Sequence, residues 1–185
     1  MHHLDITLEI KVHIAYSDDL IDIASTSEMI DLINFICKKS KDENEISRLN
    51  LDNITEYRYN EKRNLAIMHA IENEEIELNL QAIFDTRTKQ FTTAEALCRI
   101  NTKYFGYISP SVFIPFAEKK GIINQLSLAM IKKVCIFISE SKLPDNFTNI
   151  SINLSVIDCL DPTFPKKIIT FLNYYKINKK KFLLK

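Results

Sequence analysis

From residue 75 to the end of the chain, short segments with strand-like alternation are separated by longer segments with helical spacing. We predict strands at 76–85, 92–100 and 149–156, with helices between and after them. Strands that alternate with helices favour a parallel α/β arrangement. In a barrel of this class, functional side chains collect at the carboxyl ends of the strands. This order of elements therefore limits both the fold and the place where a site is expected.

Several residues in this region predict where the helices begin and end. Ser109 is followed by a proline, which is typical of an N-cap and the first helical position. Gly121 predicts a helix end. Asn124 is a candidate cap for the helix that follows, and Asp161, also followed by a proline, predicts the start of the last helix.

The first third of the chain has a different pattern. Alternating apolar and polar residues predict a half-buried antiparallel strand over 5–15. The run Ser25-Thr26-Ser27-Glu28 matches a capping box and predicts a helix over 27–40. The charged residues 38–48 predict a solvated helix end and linker, and a third helix is predicted over 56–73.

Composition excludes several classes of function. The formal net charge is zero, so no overall charge attracts nucleic acid or an acidic membrane surface. The chain has only two glycines, Gly106 and Gly121, which excludes glycine-rich phosphate loops of the Walker and Rossmann kinds. The four cysteines form no CxxC pair, and neither a signal peptide nor an apolar run of about 18 residues occurs. These features predict a cytoplasmic protein with reduced thiols.

Each of the three predicted strands carries a polar stripe opposite an apolar one. The apolar stripe can pack against helices, whereas the polar stripe must face water or converge on a site. The polar stripes are Glu77, Asn79 and Gln81 in the first strand, Glu95, Leu97 and Arg99 in the second, and Ser151, Asn153 and Ser155 in the third.

The residue types in these stripes suit a metal and a phosphate. Glu95 and Asn153 offer oxygen ligands, which hard cations such as Mg²⁺ or Mn²⁺ prefer. Arg99 lies four residues beyond Glu95 on the same strand face, roughly 13 Å along the strand, where a guanidinium can bind a phosphate oxygen. Alternatively, Glu95 and Arg99 form a structural ion pair on one strand face, and periodicity alone favours that interpretation.

Four sequence motifs in order resemble one family. Residues 95–99, Glu-Ala-Leu-Cys-Arg, resemble the EAL-x-R motif of the EAL family of cyclic-di-GMP phosphodiesterases. Residues 80–85 are similar to its upstream Q-P-I strand, 106–121 to its G-x-I-x-P and F-I-P-x-A-E stretch, and 151–155 to its V-N-L-S strand. The resemblance covers about residues 70–185.

The resemblance implies an α/β fold that is an incomplete (βα)8 TIM-like barrel containing about the first three strands. It also implies a two-metal site that hydrolyses cyclic-di-GMP to the linear dinucleotide. By the same resemblance, Glu95 and Asn153 are ligands of Mg²⁺ or Mn²⁺, and Gln81, Leu97 and Arg99 contact the dinucleotide.

The chain also departs from the family pattern. Ala82 replaces a proline, Ile100 stands where a tryptophan is usual, and the family's later acidic and lysine motifs are absent. We therefore expect a truncated EAL domain that is inactive by itself and binds metal weakly or not at all. One alternative is a non-catalytic module that pairs with another EAL or GGDEF protein. Another is an unrelated α/β domain with chance matches.

The resemblance extends to the predicted domains. Residues 1–53 resemble the C-terminal part of a degenerate GGDEF-like domain, 54–73 the connecting helix, and 74–185 the N-terminal part of the EAL domain. No Gly-Gly-Asp/Glu-Glu-Phe motif occurs, which excludes cyclase activity for this sequence.

Overall fold

The computed structural model describes residues 12–17, 23–39 and 46–185. The chain divides into two compact units, residues 1–62 and 63–185. The strands are β1 (Ile14–Tyr16), β2 (Ile46–Arg48), β3 (Glu77–Asp85), β4 (Gln90–Thr102), β5 (Gly106–Ile108), β6 (Asn149–Ile152) and β7 (Phe182–Leu184). The α-helices are α1 (Thr26–Lys39), α2 (Leu51–Glu72), α3 (Pro110–Lys120), α4 (Ile123–Glu140), α5 (Val156–Leu160) and α6 (Phe164–Tyr174).

In the first unit, α1 packs beside a two-stranded sheet of β1 and β2. The N-terminus of α1 is capped as its sequence predicts, since the Ser25 hydroxyl accepts the Glu28 N–H at 3.1 Å. The Glu28 carboxylate in turn accepts the Ala24 N–H at 2.7 Å. The buried side chains of this unit form a small core of Leu32, Ile36, Leu49 and Ile54.

Two predictions for this unit are wrong in the described residues. The strand predicted over 5–15 was expected to be antiparallel, but β1 pairs with β2 in parallel. Residues 5–11 of that prediction lie outside the described residues. The predicted linker 38–48 contains β2 at its end, and α2 begins at Leu51, because Asn50 caps it by accepting the Asn53 N–H at 2.9 Å.

The second unit contains a mixed sheet in the order β3-β4-β6-β7, and β5 pairs with β4 off this path. The pairs β4–β6 and β6–β7 are parallel, as the strand-helix alternation predicts. The pair β3–β4 is antiparallel, so the prediction of a wholly parallel sheet with a helix between these strands is wrong.

The antiparallel pairing has a local cause. Only four residues separate β3 from β4, and parallel strands need a crossover of about a dozen or more. Asp85 closes the turn by accepting the backbone N–H groups of Arg87 at 2.8 Å and Thr88 at 3.3 Å. Lys89 completes the turn in the left-handed region with φ 57°. The turn thus folds β4 back along β3.

The remaining strands differ from the predicted set in length and number. The strand predicted at 149–156 ends at Ile152, and its last residue, Val156, begins the one-turn helix α5. β5 and β7 were not predicted as strands, so the sheet path contains four strands rather than about three. The fold is therefore mixed α/β, with parallel pairing in its second half.

The helices α3 and α4 cover the sheet and carry much of the core. The Ser109 hydroxyl caps α3 by accepting the Ser111 N–H, and Gly121 ends it at φ 71°, so both predicted ends are confirmed. Asn124 does not cap α4, whose N-cap is Ile122; its amide instead donates to Asp161 at 3.0 Å. The fully buried side chains include Ile100, Phe113, Ile131, Val134 and Ile150.

None of the helices in the described ranges is long and apolar enough to cross a lipid bilayer. All four cysteines, each of them in a described range, are free thiols.

Candidate functional site

Glu95 and Asn153 meet where the parallel strands β4 and β6 run side by side. Glu95 is aligned with Ser151 in this pair, and Asn153 follows Ser151 by two residues, so its side chain returns to the same face. The Asn153 Nδ2 donates to the Glu95 Oε1 at 2.5 Å. Two polar residues that are 58 positions apart in sequence therefore touch at the carboxyl end of β6.

Arg99 and Leu97 continue the same face of β4 towards its carboxyl end. The Arg99 Nη1 donates to the carbonyl of Cys98 at 2.8 Å, and the side chain is half-buried. Within residues 46–185, Arg99 makes no ion pair with Glu95, so the structural ion pair that periodicity favoured does not form. The guanidinium keeps donors available for a ligand.

Gln81 lies on β3 directly opposite Glu95 in the antiparallel register. Side chains of directly opposed residues point to the same face of a sheet, so Gln81 and Glu95 share one surface. The Gln81 side chain is exposed. It does not line the cavity described below.

A cavity of about 320 Å³ opens beside this face and is lined by Leu97, Arg99 and Asn153. Its other walls come from α3, α4 and the end of β6 and are largely apolar. The β4 wall includes Cys98, whose thiol pKa burial raises to about 12, so this thiol is neutral at physiological pH. The polar side chains that line the cavity are Arg99, Glu118, Ser127, Asn153 and Ser155. Among them, the Ser155 Oγ donates to Glu118 Oε1 at 2.6 Å. Such a cavity, apolar with a few polar groups, is typical of a ligand site.

Glu95 and Asn153 are residue types that bind hard divalent cations, but they provide only two ligands. A carboxylate and an amide side chain in contact offer oxygen ligands of the type that Mg²⁺ and Mn²⁺ prefer. To bind such a cation together with Glu95, Asn153 must present its amide oxygen instead of the nitrogen that it now directs at the carboxylate. Across the described residues, no cluster of three or more His, Cys, Asp or Glu side chains has a metal-binding arrangement.

Three polar residues next to this site were not predicted as site residues from the sequence. Glu118 lies within a recognised motif, and Ser127 lies on α4. Asp158 is fully buried, and its Oδ2 accepts the Ser127 hydroxyl at 2.6 Å and the Ser155 N–H at 3.0 Å. The Ser155-x-x-Asp158 spacing of a capping box was the available signal, and the structure contains that capping box.

The family follows from a comparison of the sequence with known domains. The EAL domain matches residues 64–185, which is more than half of the chain. This chain belongs to the EAL domain family. The matched range covers β3 to β7, and therefore includes all five residues of the predicted site.

Curated EAL relatives support the same assignment. The chain is 34% identical over 121 residues to the cyclic di-GMP phosphodiesterase PdeL of Escherichia coli strain K12, covering 64% of this chain and 33% of PdeL. It is 36% identical over 107 residues to the probable cyclic di-GMP phosphodiesterase PdeG of the same strain, covering 57% of this chain and 21% of PdeG. The chain is thus homologous to cyclic-di-GMP phosphodiesterases and spans between a fifth and a third of the length of these two.

Solved EAL structures share the fold. The FimX EAL domain from Pseudomonas aeruginosa bound to c-di-GMP aligns with a TM-score of 0.57 and 18% identity, covering 65% of this chain and 48% of that one. The Vibrio cholerae LapD S helix-GGDEF-EAL structure aligns with a TM-score of 0.57 and 13% identity, covering 87% of this chain and 39% of that one.

Proposed function

We propose that this chain carries the first part of a cyclic-di-GMP phosphodiesterase site. In this proposal Glu95 and Asn153 are ligands of Mg²⁺ or Mn²⁺, and Gln81, Leu97 and Arg99 contact the dinucleotide. The observation that carries the proposal is the contact between Glu95 and Asn153, which joins two separate family motifs at one point of the sheet.

The electrostatics of the cavity also support a phosphate ligand. Arg99 lines the cavity and donates to a neutral carbonyl, and within residues 46–185 it forms no salt bridge with a carboxylate. A guanidinium binds phosphate oxygens through two parallel N–H donors. Leu97 provides an apolar contact beside it, and Gln81 provides an amide on the neighbouring strand.

A divalent cation, when bound, polarises a phosphodiester oxygen and lowers the pKa of a water that it holds. The protein's part is to orient the dinucleotide and to hold the cation. Affinity for hard cations rises with the number of carboxylates, and Glu95 is the one carboxylate in the proposed ligand pair. We therefore expect residues 1–185 by themselves to bind Mn²⁺ weakly and not to turn over cyclic-di-GMP at a useful rate.

Binding and turnover test the two halves of this proposal separately. Isothermal titration calorimetry with cyclic-di-GMP compares the wild type with Arg99→Ala and with Arg99→Lys. Because lysine keeps the charge but loses the planar pair of donors, we expect it to restore binding only in part. The matched control is Arg87→Ala, which removes an exposed arginine from the β3–β4 turn.

Binding that is lost in Arg99→Ala but kept in Arg87→Ala supports the assignment of Arg99. Equal affinities of the two variants contradict it. For turnover, the purified chain is incubated with cyclic-di-GMP and Mn²⁺, and the linear dinucleotide is measured by chromatography. Robust linear product would overturn the expectation of inactivity.

A second candidate function is a module that pairs with another EAL or GGDEF protein. The observation that favours it is the outer edge of β7, which has no strand partner within residues 46–185 and exposes Leu183 and Leu184. Open edges of this kind pair readily with other strands. Co-purification with a defined EAL protein and a shift in size-exclusion volume separate this candidate from the first.

We also propose that residues 1–53 are a degenerate GGDEF-like remnant, that 54–73 form the connecting helix, and that 74–185 form the first part of an incomplete TIM-like barrel. The order of β1 followed by α1 supports the first point. The parallel pairs β4–β6 and β6–β7 support the last point.

A further inference from the structure

The position of Asn153 depends on a connection of three residues. β6 ends at Ile152 and α5 begins at Val156, so residues 153–155 join them without secondary structure of their own. A short connection that carries a functional side chain must be held by contacts from outside it. Ser155, the last residue of this connection, makes these outside contacts.

Ser155 is held by two carboxylates at the same time. Its Oγ donates to Glu118 on α3 at 2.6 Å, and its backbone N–H donates to Asp158 Oδ2 at 3.0 Å. Asp158 Oδ2 also accepts the hydroxyl of Ser127, on α4, at 2.6 Å. The connection is thus tied through Asp158 to a helix that belongs to the core.

Asp158 combines two accepted hydrogen bonds with the cost of complete burial. The side chain is 0% exposed, and its Oδ1 has no hydrogen-bond partner among the described residues. A buried carboxylate with one unsatisfied oxygen loses more solvation free energy than its hydrogen bonds restore. The helix that it caps, α5, is only one turn long. What these bonds supply is a fixed geometry for Ser155 and hence for Asn153.

We infer that Asp158, together with Ser127, is a positioning residue that aims Asn153 at Glu95. This inference rests on the proposed function, because Glu95 and Asn153 are the ligand pair of that proposal. Asp158 touches neither of them directly. Residues that orient ligands through such contacts typically change metal affinity by about 10–100-fold when they are removed.

The test uses the 185-residue chain, four variants that probe or control the positioning contacts, and Glu95→Ala as a spectral reference. Asp158→Ala removes both bonds, whereas Asp158→Asn keeps an oxygen that can accept both of them. Ser127→Ala removes only the tie to α4. The matched control is Ser139→Ala on the same helix, where an exposed hydroxyl donates to the carbonyl of Ile136.

The first readout needs no metal. In ¹H–¹⁵N NMR spectra, the Asn153 side-chain amide reports its hydrogen bond to Glu95, and the Glu95→Ala spectrum gives the position of the unbonded amide. We expect this resonance to shift towards that position in Asp158→Ala and Ser127→Ala, and to stay in place in Asp158→Asn and Ser139→Ala. A general structural role alone does not predict this rescue by asparagine.

The second readout is the Mn²⁺ dissociation constant from electron paramagnetic resonance of free Mn²⁺. We expect Kd to rise about tenfold or more in Asp158→Ala and to change less than about twofold in Asp158→Asn. If the wild type binds no Mn²⁺, the proposed ligand pair fails while the amide resonance still decides the positioning role. If Asp158→Ala does not fold, the amide shift in Ser127→Ala tests the positioning role instead. An unshifted amide in Ser127→Ala, or a shifted one in Asp158→Asn, overturns the inference.

Discussion

The packing of α4 against the sheet gives a prediction whose size follows from burial alone. Ile131 lies on α4, is 0% exposed and belongs to the core of the second unit. Truncation of a buried isoleucine to alanine loses transfer free energy and leaves a cavity, and typically lowers the free energy of unfolding by about 2–5 kcal/mol. The matched control is Ile169→Ala on α6, where the side chain is 47% exposed.

The expected midpoints follow from these values. With a loss of about 3 kcal/mol and a urea m-value of about 2 kcal/mol/M, the unfolding midpoint of Ile131→Ala falls by about 1.5 M. Ile169→Ala loses much less, because half of its side chain already contacts water, and we expect its midpoint to fall by less than about 0.7 M.

Far-UV circular dichroism in urea measures both variants, since the chain has no tryptophan to serve as a fluorescent probe. Far-UV signal at 222 nm follows the helices, including α4. Equal midpoints for Ile131→Ala and Ile169→Ala would refute the burial of α4 on which the reasoning depends.

Two further predictions concern the backbone and the thiols. Gly121 has φ 71°, and a Cβ placed there meets no atom within 4 Å, so Gly121→Ala destabilises by backbone strain alone, by about 1–2 kcal/mol. Gly121→Asn should lose less because asparagine tolerates this conformation, and equal melting temperatures for the two variants would contradict the left-handed end of α3. Burial raises the pKa of Cys98 from 9.0 to about 12, so above pH 9 the unfolded chain releases this proton before the folded chain does. Stability should therefore fall as pH rises from about 9 to about 12, and Cys98→Ala should reduce that fall. The part that remains includes the contribution of Cys135, whose pKa burial raises to about 11. Urea midpoints that decline equally with and without Cys98 would argue against its burial.

The tight turn of the β3–β4 hairpin is encoded locally in the sequence, although the strand-helix alternation led to the prediction of a helix there. Asp85 and the three residues after it form a turn through side-chain bonds to backbone N–H groups, which is a local interaction. A separation of only four residues between two strands already excludes a helical crossover. The capping patterns at Ser25 and Ser109 were equally local, and they predicted the starts of α1 and α3 within one residue.

Other features were beyond the reach of the sequence. The apolar alternation in 149–156 continues into Val156, but the capping box of Ser155 and Asp158 ends the extended segment and starts α5. β7 is a strand because it pairs with β6 in parallel, and three residues without a partner have no strong preference for that conformation. Periodicity also favoured an ion pair between Glu95 and Arg99. It does not form in residues 46–185, where Glu95 instead accepts a hydrogen bond from Asn153.

The sequence by itself determined the local elements of this chain, namely the caps, the turn and the apolar faces, and its motifs already resembled the EAL family. Only the tertiary structure decided which strands run parallel and which polar side chains meet. The physical reason is that strand register is set by packing between segments far apart in sequence, such as those of Glu95 and Asn153, which lie 58 positions apart. The same packing buries Asp158 against Ser127, a contact that no spacing along the chain specifies.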